Sequence, residues 1–439
     1  MFDEAAATIT RLGAQLFPIT STTGVLAALC ATCAVFFWLE QRTQWKFFHF
    51  APPLVFIYLV PILMTTGGIL PHASPVYTTM KSLLLPMLLV LLLVKMNLRG
   101  AVRILGPGLG VMLVGSVGVM IGAPVGLLVV RHWLQPDAWK AFGALSASWI
   151  GGTANLVAVA EMTHAKDEVG LAMFSDSVIA YLIWLPILLA SKRYASRFAR
   201  FSGVNVKEMN RLEEAVTEHV ETKRATTTNE YLFLIATAVA ATWVADISSQ
   251  WIETKATAWF PPTAVVATPA DGDQTQNAQS ATAVLPPAKL QKSPFADAST
   301  WRILIVTTIG IALSFTRLNQ VSGSQELAMA LLYLFVTCMG ATANLEKTTG
   351  QMLPFFIGSL IMIFIHGLFC LLGARIFRTD IHTAAIASAA NIGGVATSSI
   401  VASYHKRSLL PAAVLMAIIG IAIGTYCGYI TAQICRLIM

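Results

Sequence analysis

The chain has 439 residues, of which 56% are hydrophobic and 12% charged, with a mean hydropathy of +0.69. A soluble chain carries about twice that charge, and a net charge of +7 set singly at segment ends is not the footprint of a nucleic-acid binder. Many apolar runs reach the roughly 20 residues that a helix needs to cross a hydrocarbon core of about 30 Å, so the composition describes an all-α polytopic membrane protein.

Apolar length and flanking punctuation place spanning segments near 17–38, 46–70, 79–98, 104–131, 139–163 and 168–191. A second set falls near 229–250, 299–317, 325–344, 352–377, 382–404 and 410–435. Asn97-Leu98 and Asn344-Leu345 each close a segment, and Pro107 and Pro354 each open the next. The reading is therefore two homologous, inverted halves, 1–191 and 229–439, with about 11–13 transmembrane helices. They are joined by a polar linker, 192–228, in which Met209, Leu212, Val216 and Val220 fall at helical spacing. Residues 252–298, rich in Ala, Thr, Pro and Gln, read as an exposed, mostly disordered loop.

Lys192, Arg193, Arg197 and Arg200 argue for a cytoplasmic linker, and Arg42, Lys46, Lys95, Arg99 and Arg103 for cytoplasmic loops. With six full crossings per half these demands conflict. An inverted repeat also needs an odd number of crossings between corresponding segments. Either one of these segments fails to span or one further crossing is hidden. The N-terminus begins with Asp3 and Glu4 and shows no cleavable signal. Cys30, Cys33, Cys338, Cys370, Cys427 and Cys435 lie in or beside apolar segments and read as packed thiols.

One motif occurs twice. Residues 146–162 read SASWIGGTANLVAVAEM and residues 388–404 read SAANIGGVATSSIVASY. Aligned without a gap, they share Ser146/Ser388, Ala147/Ala389, Ile150/Ile392, Gly151/Gly393, Gly152/Gly394, Ala154/Ala396, Val159/Val401 and Ala160/Ala402. Glycine-interrupted hydrophobic segments in corresponding positions of two halves point to a transporter binding site. The broken helices lie at about 139–163 and 382–404. Backbone freed at a break is tolerated inside protein or around a ligand, and half-helix ends carry partial charges. Carbonyl ends suit a cation such as sodium, and N–H ends suit a substrate carboxylate.

Ser146, Gly151 and Gly152 at the first break, and Asn391, Gly393, Gly394, Thr397 and Ser398 at the second, are the candidate substrate-binding residues. Ser148, Ser388 and Ser399 add further hydroxyls. Asp176, flanked by Ser175 and Ser177 in the following segment, is an intramembrane acid, and such residues are costly and functional by default. It can coordinate sodium together with Thr153 and Asn155, or carry a proton. Glu161 stands at a segment end, and His366 lies alone inside 352–377, as a proton relay or as a hydrogen-bonded bundle histidine. Close helix packing through small residues is the structural alternative for both Gly-Gly segments.

With Asn155 after the first IGG and Asn391 before the second, the paired motifs resemble the uncharacterised YjcL-like family of bacterial and plant membrane proteins. The resemblance spans nearly the whole chain, apart from 252–298, which looks like an insertion. More coarsely, the chain is similar to the superfamily of bile acid:sodium symporters and cation–proton antiporters. That resemblance implies two discontinuous helices crossing near the bilayer centre in a mobile core, about 104–191 and 352–435, beside a comparatively fixed panel. It implies sodium ligands at Thr153, Asn155, Ser175 and Asp176, but this chain has no acid on the second broken helix. The antiporter branch implies an essential acid that matches Asp176, with no charged partner at either break here. A homodimer through the panel is in keeping with the superfamily.

The function expected is sodium-coupled symport of a small organic, anionic solute by alternating access, in the bacterial inner membrane, with no cofactor beyond the sodium ion. The alternative is a cation–proton antiporter using Asp176. An enzyme is not expected, since no G-x-S-x-G or H-E-x-x-H motif is present. A receptor or scaffold is disfavoured by the short linker.

Overall fold

The computed structural model describes residues 18–43, 45, 48, 53–96, 98–204, 226–259, 263–265, 289–291, 297–343 and 349–439. The expected helical stretch at 209–220 and the Asn344-Leu345 pair lie outside them, as does Asn97. The through-running helices are α1 (Thr22–Thr43), α2 (Pro53–Thr66), α3 (Pro75–Val94) and α4 (Leu98–Val130). After them come α5 (Ala138–Gly151), α6 (Thr153–Met162) and α7 (Glu168–Ser202). The second half holds α8 (Thr228–Trp259), α9 (Ala298–Ser314), α10 (Ser324–Thr342), α11 (Met352–Ile376), α12 (Ile381–His405) and α13 (Leu410–Ile438). Nine helices among the described residues are long and apolar enough to cross a membrane, and α2 and α9 are shorter apolar ones. Helix α8 continues to Trp259 where a loop was expected. Beyond it Thr263–Val265 pairs antiparallel with Lys289–Gln291.

Local chemistry accounts for two irregularities. A π-helical turn at Met80–Leu84 precedes Pro86, and another at Ile179–Trp184 precedes Pro186. Proline clashes with the carbonyl four residues back, which is Ser82 or Leu182, inside the widened turn. Helix α4 breaks at Gly106, which has φ 46°.

The packing direction comes from small residues. A Cβ on Gly118, Gly122 or Gly126 would strike Phe369, Met362 or Gly358 in turn, so α4 and α11 lie antiparallel at backbone contact. Likewise Gly143 faces Ala432, Ala147 faces Gly428 and Gly151 faces Gly424, so α5 runs antiparallel to α13. Helix α2 packs on α10 and α3 on α9; α1 packs on α2 and α10, and α8 on α9 and α3. Exchanging the halves maps these pairings onto one another.

Both broken segments turn back rather than cross. His382 opens α12 and His405 ends it, yet their Nδ1 atoms are 3.1 Å apart. The reversal is at Gly394, with φ 61° and ψ −147°. Gly152, with φ 88° and ψ 177°, reverses α5 into α6. Pro136–Ala138 before that hairpin and Asp167 and Glu168 after it line one cleft. Only glycine takes such φ values without strain, so each Gly-Gly pair makes a helical hairpin. The crossing geometry expected from the superfamily is therefore not the one this chain adopts. Among the described residues ten helices run end to end, beside two helical hairpins.

This resolves the charge conflict. Ile19 N–H bonds Ile69 O, Thr65 bonds Ala341 O, Arg131 bonds Ile438 O and Gln135 N–H bonds Gln351, which places all of these at one end of the bundle. At the other end Ser324 bonds Leu91 O and Lys192 bonds Tyr404 O. Arg42, Lys95, the 192–200 cluster, Arg317, Arg375, Lys406 and Arg407 all fall at this linker end. Hairpin α5–α6 enters from the opposite end, and α12 from the linker end.

Candidate functional site

The hairpin tips converge halfway along the bundle. Asn391 Nδ2 donates to Met112 O at 3.0 Å, and the Ser116 hydroxyl lies 3.3 Å from Asn391 Oδ1. Met112 also reaches Gly420, whose Cα abuts the Ile150 carbonyl of the other hairpin. Helices α5 and α12 touch directly. Gly152, Thr153, Gly393, Gly394 and Val395 are half-buried and Ala396 is exposed, so neither turn is sealed by protein.

Asp176 stands in α7 against the first hairpin. Its Oδ2 accepts from Ser148 Oγ at 3.1 Å and its Oδ1 from Trp149 Nε1 at 2.8 Å. Asp176 is thus a tie between a through-running helix and a hairpin. Its hydrogen-bond partners are Ser148 and Trp149. Asn155 Nδ2 donates to Gly151 O at 2.8 Å, and its Oδ1 accepts from Thr425 of α13. Ser175 is buried beside Asp176.

The other sequence candidates divide into anchors and open positions. Ser146 bonds back to Gly143 O at 2.7 Å, and Ser398 lies 3.2 Å from both Val395 O and Ala413 O. Ser388 Oγ accepts from Trp184 Nε1 at 2.9 Å. His366 Nδ1 is 2.9 Å from Gly115 O, which only accepts, so Nδ1 carries the proton. Its Nε2, 2.8 Å from Ser388 Oγ, then takes the Ser388 proton in a hydrogen bond. This buried chain fastens the entering arm of α12 to α4, α7 and α11. Thr397, buried in the returning arm, lies beside Tyr181 of α7.

Several participants were not singled out in the sequence. Lys81 pairs with Glu161 at 3.3 Å and joins α3 to the first hairpin. A lone lysine in an otherwise apolar segment was the available signal. Thr425 lies in a Gly420, Gly424, Gly428 stripe at four-residue spacing, a small-xxx-small pattern. Tyr181 sits in the π-helical turn beside Asp176 and Thr397. At the hairpin mouth, outside the apolar spans, His164 Nε2 meets Asp297 Oδ1 at 3.1 Å.

The family model for "Protein of unknown function (DUF819)" matches residues 27–438. The chain belongs to this family. It is similar to the uncharacterized membrane protein YjcL of Bacillus subtilis (strain 168), with 26% identity over 403 residues, covering 90% of this chain and 92% of that protein. These matches make it a membrane protein of the YjcL-like family. Among the described residues no group of three or more metal-binding side chains occurs.

Proposed function

We propose that the chain is a secondary active transporter, a sodium-coupled symporter of a small organic, anionic solute, and not an enzyme. The observation that carries this reading is the meeting of two glycine-turned hairpins, entering from opposite ends, around Met112 and Gly420 at mid-bundle. Non-helical backbone at such depth is tolerated only in protein or around a water-filled cavity. A site that each end approaches with its own hairpin suits alternating access. The antiparallel α4–α11 pair and five through-running helices per half support two inverted repeats. With its cationic side chains, the linker end is the cytoplasmic one, and the membrane is the bacterial inner membrane.

Asp176, bonded to the buried inner part of the first hairpin through Ser148 and Trp149, is one carboxylate, enough to neutralise one cation. The symport reading expects saturable binding of radiolabelled sodium by the purified protein, abolished by Asp176→Asn. In proteoliposomes a sodium gradient alone then moves no protons. Sodium-driven proton movement, lost in Asp176→Asn, would instead identify a cation–proton antiporter.

A further inference from the structure

Two imidazoles meet at the mouth of the second hairpin. His382 is the second residue of α12 and His405 its last, and the reversal at Gly394 brings their Nδ1 atoms to 3.1 Å. The other ring nitrogen of His405, Nε2, lies 2.9 Å from Leu188 O. A carbonyl only accepts, so Nε2 carries the proton and Nδ1 turns a bare lone pair toward His382. In the neutral pair, a single proton on His382 Nδ1 lies between the two nitrogens.

The same arrangement is half of a zinc-type coordination shell. Nitrogens about 2.0–2.1 Å from an ion and 3.1 Å from each other subtend roughly 95–102° at it, between the square-planar and tetrahedral angles. A metal-bound imidazole characteristically donates its other N–H to a carbonyl or carboxylate, which fixes the ring. His405 already makes that bond, to Leu188. Besides His382, the charges acting on His405 are Asp380 at the start of α12 and Lys192 of α7, one of each sign. The Lys192 ammonium is turned onto Tyr404, bonded to its carbonyl and lying over its ring. His382 is half-buried, and Ser403, Tyr404 and Arg407 around His405 are exposed, which leaves an approach from the linker end.

We propose that His382 and His405 form a transition-metal site, a chelate through both Nδ1 atoms with water in the remaining positions, that takes zinc or nickel and not magnesium or calcium. Magnesium and calcium require oxygen ligands in number, whereas imidazole suits zinc, nickel and copper. The ion takes the place of the proton between the two nitrogens, so uptake weakens as pH falls and the imidazoles are protonated. It joins the entering arm of α12 to the returning arm and, through Leu188, to α7. In the gapless alignment of the two repeats, Lys140 and Thr163 stand at the equivalent positions of the first hairpin. The chelate therefore belongs to the linker end alone.

The test is equilibrium dialysis of the purified full chain, free of any histidine tag, against zinc chloride, with magnesium chloride as the control. The protein should hold one zinc ion per chain at neutral pH and lose it at pH 5, below the ordinary imidazole value. Zinc, and not magnesium, should raise its Tm, since the ion binds only the folded chain. His382→Ala and His405→Ala should each lose the ion. His382→Cys should keep it, because a thiolate is also a zinc ligand, and this variant separates loss of a ligand from loss of the fold. His164→Ala, at the histidine beside Asp297, should keep the ion as well. Absence of zinc from the unaltered protein, retention in His382→Ala, or loss in either His382→Cys or His164→Ala would overturn the proposal.

Discussion

His382 and His405 stand 23 residues apart in the chain with their Nδ1 atoms 3.1 Å apart. His405 Nε2 also donates to Leu188 O at 2.9 Å, which ties the closed hairpin to α7. A straight helix would separate the two histidines by about 35 Å. The contact therefore decides the topology of the second half.

A double variant, His382→Cys with His405→Cys, should form a disulfide within one polypeptide under mild oxidation. The crosslinked peptides are identified by mass spectrometry. Failure to crosslink, in a protein that keeps its thermal stability, would restore a crossing helix.

The directions of the described helices put residues 72 and 317 at opposite ends, where both are exposed. In right-side-out vesicles an impermeant maleimide should label His72→Cys directly. It should reach Arg317→Cys only after permeabilisation. The reverse order would invert the orientation inferred from the basic clusters.

A side chain at Gly428 would meet Ala147 Cα and Cβ. Gly428→Val should cost about 1–3 kcal/mol of stability, as overpacking does, and lower the Tm. Gly350→Ala, with open space around it, should leave the Tm unchanged. Equal Tm values for the two would show that α5 and α13 are not at backbone contact.

The His164–Asp297 pair links the mouth of the first hairpin to the start of α9. Burial opposes ionisation of Asp297, but hydrogen bonds from His164, Thr300 N–H and Ser299 prevail and hold its carboxyl below the ordinary range. The hydrogen bond to Asp297 raises His164 above its ordinary 6.5. A raised histidine contributes fully below 6.5 and loses that contribution as pH rises through its folded value. A lowered aspartate contributes fully above 3.8 and loses it as pH falls. The tie is strongest between those two values. His164 is largely exposed, so the Tm should fall only about 1–2 °C from pH 5 to pH 8. His164→Ala should remove that part of the slope. A slope unchanged in the variant would assign it to other groups.

Much of this architecture was legible in the chain. The repeated IGG marks both turns, because a backbone needing positive φ selects glycine, and the spacing of the repeats aligns the halves. The direction taken after each turn was not legible, since the 25-residue, predominantly apolar segment 381–405 satisfies a spanning helix equally well. Only contacts such as His382–His405 separate a hairpin from a crossing. The charge pattern did carry the answer in indirect form, because six crossings per half left Arg42 and Arg193 in conflict. Asp176 stands out in the sequence by its cost in a membrane. Its partners Ser148 and Trp149, and the pairing of Lys81 with Glu161, depend on distant segments meeting. The hydrogen bonds by which Asn155, Asn391 and Ser398 hold the hairpins in place likewise depend on those meetings.

The most direct test of a cation site at Asp176 is the thermal stability of the purified protein in sodium, potassium and choline chloride at equal ionic strength. A ligand that binds only the folded state raises stability by mass action. The expected result is a sodium-specific rise in Tm that disappears in Asp176→Asn. Equal Tm values in the three salts, or a sodium effect that survives Asp176→Asn, would contradict it.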